Sequence, residues 1–249
     1  MSLLVDTTYR TDADELLDDF NIGGPLLHDT LDKLATINRC LGGNRVTLNG
    51  LQYLLKNHPK EQTLTLVDLG CGGGDILRDV SRFGKKHGYQ FNLIGIDANP
   101  EAVAYASKLS DGVENLQFKT MDVFSKEFNN LDYDVVLCTL FLHHFKQEQL
   151  KTFLKKITDK ATVGIVVNDL HRHRMAYYLF KTLCLTIKNE MIVQDGLTSV
   201  LRGFKRKDIE HVSNQLNLDY RLKWKWAFRW QWVMKKEASS AEEEGEIST

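Results

Sequence analysis

The chain has 249 residues, 43% of them hydrophobic and 26% charged, with 32 basic against 33 acidic side chains. That mixture excludes an intrinsically disordered chain, and the length suits one large α/β domain or a medium domain with a smaller cap. A net charge of −1 supplies no field for gathering polyanions, so nucleic-acid binding is not the expected role. The four cysteines, Cys40, Cys71, Cys138 and Cys184, form no CxxC pair and show no recurring spacing. Neither a disulfide framework nor a cysteine-rich zinc site is implied, and a reducing compartment suits them.

The first twenty residues lack a basic region followed by an apolar core, so no signal peptide is read. The most apolar helical stretch, Met175 to Ile187, contains Lys181 and falls short of the ~20 residues that a bilayer requires. A cytoplasmic protein without a membrane span is expected. Pro25, after Gly23-Gly24, suits the first turn of a helix in which Leu27, Leu31, Leu34, Ile37 and Leu41 recur at helical spacing, stopped by Gly42-Gly43. A second helix is predicted over Leu48 to Lys56. Residues 1–62 therefore read as a helical N-terminal extension whose acidic opening part is expected to be mobile.

From Thr63 strands and helices alternate. Strands are predicted at Leu64–Leu69, Phe91–Asp97, Leu116–Met121, Tyr133–Leu140 and Ala161–Val167, with helices between them. Such alternation indicates a doubly wound parallel sheet with helices on both faces. A mostly helical, aromatic and basic stretch follows, over about 171–206, and reads as a lid. A helix is predicted at Lys207–Leu216, then two strands, Asn217–Trp226 and Ala227–Lys235. The two last strands leave no room for a crossover helix, so they must be antiparallel to each other. The acidic tail, 237–249, reads as disordered.

The informative segment is Val67-Asp68-Leu69-Gly70-Cys71-Gly72-Gly73-Gly74-Asp75, between the first strand and its helix. Glycines there let the backbone turn tightly and approach a ligand. The second strand ends in Gly95-Ile96-Asp97, placing an acid where a ribose would lie. The third leads into Asp122-Val123, an acid beside an apolar residue, suited to an adenine amino group and ring face. A nucleoside is the simplest single occupant of these strand ends. The dinucleotide pattern needs a third glycine where Asp75 stands, and the Lys-Ser/Thr ending of a P-loop is missing.

With Asp68, Gly70, Gly72 and Gly74 in a DxGxGxG turn, the sequence resembles the class I S-adenosylmethionine-dependent methyltransferases from about Thr63 to Leu170. The resemblance implies a seven-stranded, mostly parallel Rossmann-like sheet with an antiparallel last strand, spanning 63–236, and S-adenosyl-L-methionine as cofactor. It implies that Asp68 and the Gly70–Gly74 turn, including Cys71, face the methionine part. Asp97 and Ala98 would then hold the ribose, Asp122 and Val123 the adenine, and Thr139-Leu140 would line the methyl donor. Cys71 and Cys138 read as small buried apolar residues rather than nucleophiles.

For the acceptor, Phe141-Leu142-His143-His144-Phe145 replaces the Asn/Asp-Pro-Pro-Tyr/Phe stretch of amino-methylating enzymes that act on DNA. A hydroxyl nucleophile needs its proton removed, and His143 or His144 can supply the base. Asn168-Asp169-Leu170-His171-Arg172-His173-Arg174 is a polar cluster on the same rim, where Asp169 and His171 make a candidate orienter and base. The aromatic lid, with Tyr177, Tyr178 and Phe180, suggests an apolar or aromatic small molecule as acceptor, methylated on oxygen. The same stripe has a plain structural reading, as packing for the Pro25–Leu41 helix. Basic residues Arg202, Lys205, Arg206 and Lys207 keep an RNA acceptor as an alternative, and a non-catalytic cofactor-binding module is another.

Overall fold

The computed structural model describes residues 5–187 and 189–236. Two helices come first, α1 (Gly24–Cys40) and α2 (Gly43–Leu54). They are followed by β1 (Leu64–Leu69), α3 (Asp75–His87), β2 (Phe91–Asp97), α4 (Pro100–Leu109), β3 (Leu116–Thr120), the short α5 (Lys126–Asn129) and β4 (Val135–Thr139). The remainder runs α6 (Gln147–Lys160), β5 (Gly164–Leu170), α7 (Arg174–Leu183), α8 (Glu190–Arg202), α9 (Arg206–Gln215), β6 (Tyr220–Lys225) and β7 (Arg229–Lys235). The seven strands form one sheet in the order β3-β2-β1-β4-β5-β7-β6, in which β7 alone runs antiparallel to its neighbours. This is the α/β, Rossmann-like methyltransferase sheet expected. The order reverses between β1 and β4, the position where doubly wound sheets bind ligands beyond their carboxyl ends.

Alternation along the strands divides the core into two layers. Leu64 and Leu66 of β1 pack with Leu51 and Leu54 of α2 and with Leu77 and Val80 of α3. On the opposite face, Val67 and Leu69 join Phe153 and Ile157 of α6, Ile209 of α9 and Trp232 of β7. Each such side chain, removed from water, stabilises the fold by about 1.5–3 kcal/mol. Among the described residues no helix is long and apolar enough to cross a membrane.

Several elements differ from expectation for identifiable reasons. The second helix begins at Gly43, five residues before Leu48, because Gly42 (φ 75°) turns the chain left-handed and lets α2 start as soon as α1 has ended. Strand β5 is shifted to Gly164–Leu170, since Ala161 is taken up as the C-cap of α6. Its polar end continues the strand because the Asn168 amide N–H groups and the Asp169 carboxylate find partners inside the protein.

The acidic opening segment is docked, not loose. Arg10 donates to the carbonyls of Arg202, His143 and Phe145, and Arg172 donates to those of Thr7 and Thr8. Its carboxylates are matched by a buried cation that periodicity could not reveal: Arg202 reaches Asp14, Glu15 and Asp18. The lid region folds as α7 and α8. Helix α8 leans on α1, where Asn189 donates to Asp29 and Thr30 and Met191 meets Thr30. The expected acidic tail, 237–249, lies outside the described residues.

Candidate active site

The turn after β1 is held by a cradle that only glycine allows at two positions. Gly70 (φ 66°) lies under Phe141, so an added methyl would sit 2.5 Å from that ring. Gly74 (φ 73°) would meet Phe118 at 2.5 Å and serves as the N-cap of α3. Both need the left-handed region as well as the space. Leu31 of α1 covers the turn from above, 3.2 Å from where a Gly72 Cβ would stand.

Asp68 is buried, and its Oδ1 has no partner among the described residues. Burial first, then the neighbouring Asp75 and Asp97 charges, push its carboxyl well above the usual range. A cation placed beside it would reverse that shift. Asp97 accepts from the Gly72 N–H at 2.9 Å and the Asn99 N–H at 3.0 Å, and burial raises its pKa. Each oxygen keeps a second lone pair for an outside hydroxyl. Ala98 follows it, half-buried. Asp122 is exposed and fixed by the Phe124 N–H at 2.8 Å, beside the buried Val123. Thr139 pairs with Thr47 of α2 through their hydroxyls at 2.8 Å. Leu140 is held at φ 54°, an uncommon conformation for a branched side chain, by its N–H bond to the Asn168 carbonyl. Cys71 and Cys138 are buried, and burial pushes both thiols far up, as suits inert packing residues.

The acid–base candidates separate into two groups. His143 is 2% exposed, and its Nδ1 lies 2.7 Å from Asp169 Oδ1. Its Nε2 has no hydrogen bond among the described residues and lies 3.7 Å from Glu15. For Asp169, burial works upward, but the adjacent His143 outweighs it and holds the carboxyl below its usual range. His144 pairs with Asp18 at 2.7 Å. Burial would lower its pKa, yet the Asp18 bond and the Glu15 charge hold it above the ordinary value.

His171 is elsewhere. The expected Asp169–His171 pair does not form, because the Asp169 carboxylate is spent on His143. His171 instead takes the Trp224 indole N–H at 3.2 Å and packs against Trp230, Phe228 and His173. Burial, then the His173, Arg172 and Lys205 charges, lower its pKa to about 4. His173 caps α7 through the Met175 N–H. Glu15, His143 and His144 are close enough to surround an ion, but Arg202, 3.3 Å from Glu15, already supplies the positive charge there.

The sequence matches the family described as "Methyltransferase domain" over residues 66–162, the span that contains the glycine turn, Asp97, Asp122 and Thr139. Over residues 66–162 the chain is similar to that methyltransferase domain, and its sheet has the class I methyltransferase fold. Among solved structures, the plantazolicin methyltransferase BpumL in complex with SAH is similar with a TM-score of 0.64 at 16% identity, covering 83% of this chain and 89% of that one. Human N-acetylserotonin methyltransferase in complex with SAM is similar with a TM-score of 0.60 at 15% identity, covering 85% of this chain and 56% of that one. At such identities the likeness is one of fold. The small RNA 2'-O-methyltransferase of Arabidopsis thaliana is 28% identical over 115 residues, 43% of this chain. The chain spans 12% of the length of that relative.

The cofactor expected from the sequence is S-adenosyl-L-methionine, and these solved structures of similar fold hold it or its product. The residues present fit it: the unpartnered Asp68 Oδ1 suits an ammonium, the Gly70 cradle leaves backbone exposed to the ligand, and Asp97 keeps lone pairs free. Sequence reasoning missed the N-terminal contribution to the methyltransferase. Glu15, Asp18 and Arg10 sit over the β4–β5 rim, and Arg202, one of the residues behind the RNA alternative, is buried among their carboxylates. The only available signal was the density of acids in residues 12–19, which equally describes a solvated strand of chain.

Proposed function

We propose that this methyltransferase transfers the methyl group of S-adenosyl-L-methionine to an oxygen of an apolar or aromatic small molecule, with His143 as general base. The carrying observation is the Asp169–His143 pair at 2.7 Å beside the Thr139–Leu140 rim, with His143 Nε2 left free of hydrogen bonds among the described residues. Asp169 fixes the ring by accepting from Nδ1–H, so the lone pair lies on Nε2, the atom that takes the acceptor's hydroxyl proton. The bound cofactor supplies an electrophilic methyl on a sulfonium. The protein's share is alignment and exclusion of water, through Phe141 over the glycine turn and Leu31 above it. Support for an apolar acceptor comes from Trp224, Trp226 and Phe228 at the β6–β7 end, which lies at the carboxyl rim of β5.

Replacing His143 by Ala, or Asp169 by Asn, is expected to lower turnover by about 10²–10⁴ while S-adenosylhomocysteine affinity stays within a factor of two. The readout is S-adenosylhomocysteine release with a panel of phenols and hydroxylated apolar acceptors. Full activity in both variants overturns the base. A second reading, methylation of an RNA 2'-hydroxyl, is favoured by the similarity to the plant enzyme over 115 residues.

A further inference from the structure

Arg229 opens β7 opposite Leu170, at the carboxyl rim of the sheet, yet it is only 3% exposed. Its Nη2 donates to Asn38 Oδ1 at 2.7 Å, near the end of α1, while Nε and Nη1 have no partner among the described residues. No carboxylate among the described residues lies within ion-pair distance of it; the nearest relevant one, Asp169, is engaged by His143. A buried cation without a counter-ion costs several kcal/mol in effective desolvation, so such a group needs an anion to be at rest.

A second feature asks for the same ligand. Helix α2 begins beside Arg229: a methyl added to Gly43 would lie 3.0 Å from the guanidinium carbon. That helix has no side-chain cap and no acid of its own in its first turn, so its leading N–H groups are uncapped. The acids that do lie nearby, Asp75 and Asp79 of α3, are met by the Asn44 amide. Both features adjoin the rim through Asn168, which donates to the Gly43 carbonyl and to Thr47, the partner of Thr139.

We infer that Arg229 and the start of α2 form an anion subsite that binds a carboxylate of the methyl acceptor. This rests on the small-molecule reading above and narrows it to acidic acceptors, such as hydroxylated aromatic or acyl carboxylates. The cofactor's own carboxylate is the other source of that chemistry. Strand order disfavours it: the glycine turn follows β1, whereas Arg229 stands on β7, beyond both β4 and β5. Three strand spacings separate the two, about 14 Å. Buried Arg is suited to the task because its planar fork binds a carboxylate by two parallel bonds.

The test uses the full chain loaded with S-adenosylhomocysteine, titrated with benzoate, 2-hydroxybenzoate and neutral benzamide, for wild type and Arg229→Met. Both carboxylates are expected to bind wild type at least tenfold more tightly than benzamide. Arg229→Met is expected to erase that preference while S-adenosylhomocysteine affinity is unchanged. Thermal unfolding adds an independent readout. Met in place of an uncompensated charge is expected to raise the Tm, whereas loss of a purely structural Asn38 link lowers it. No carboxylate preference in wild type, an unaltered preference in Arg229→Met, or a lowered Tm with carboxylate binding intact overturns the subsite. A loss of S-adenosylhomocysteine affinity assigns Arg229 to the cofactor and overturns it too. Carboxylate binding by a protein that never releases S-adenosylhomocysteine leaves the subsite standing and sinks the catalytic reading alone.

Discussion

Asp97 spends one lone pair of each oxygen on the Gly72 and Asn99 N–H groups, so the same side chain shapes the turn and stays available to a ribose. Asp97→Asn is therefore expected to weaken S-adenosylhomocysteine binding roughly 10- to 100-fold by calorimetry, about 1.4–2.7 kcal/mol, with the fold retained. An unchanged affinity removes Asp97 from the site. His171 is expected to contribute to the pH dependence of stability. Its folded pKa of about 4 lies below the ordinary 6.5, so the unfolded chain binds more protons between those values. The contribution of His171 is complete above about pH 6.5 and is lost as pH falls toward 4. His171→Phe, which keeps a ring between Trp230 and Phe228, is expected to reduce the fall in Tm across that window. An equally steep fall in the variant assigns the acid sensitivity to other groups.

At the scale of elements, the N-terminal segment and α1 border the candidate site although they precede the seven-stranded sheet. Arg10 ties the segment to the carbonyls of His143 and Phe145 and lies over the Phe204 ring at 4.6 Å. Arg10→Ala is expected to cost about 2–3 kcal/mol of stability and to speed amide exchange in residues 140–146. Exchange confined to the first ten residues would show that the segment is a passive covering. The glycine turn, Asp97, Asp122 and the alternation of strands were legible because each depends on local spacing. The partners Glu15, Asp18, Asn38 and Arg229 were not, because each acts across more than a hundred residues of sequence on a charge placed by another element. The Asp169–His171 pairing failed for a related reason. Two residues apart on an extended strand, they share a face, but Asp169 turns to a ring delivered by the neighbouring β4 connection.

For the molecule as a whole, charge balance speaks to the acceptor. Net charge is −1, and two of the four basic residues behind the RNA alternative are paired, Arg202 with three carboxylates and Arg206 with Glu210, while the nearby Arg172 is held by Asp208. Binding to a short single-stranded RNA is expected to be weaker than about 10⁻⁴ M at physiological salt. A tight complex whose affinity falls steeply with added salt would transfer the assignment to an RNA hydroxyl. Leu31 roofs the glycine turn while the opening residues seal the rim through His143. The chain's own beginning therefore borders the way in and out for a cofactor bound at the glycine turn. Turnover would accordingly be timed by a hinge in a segment that performs no chemistry.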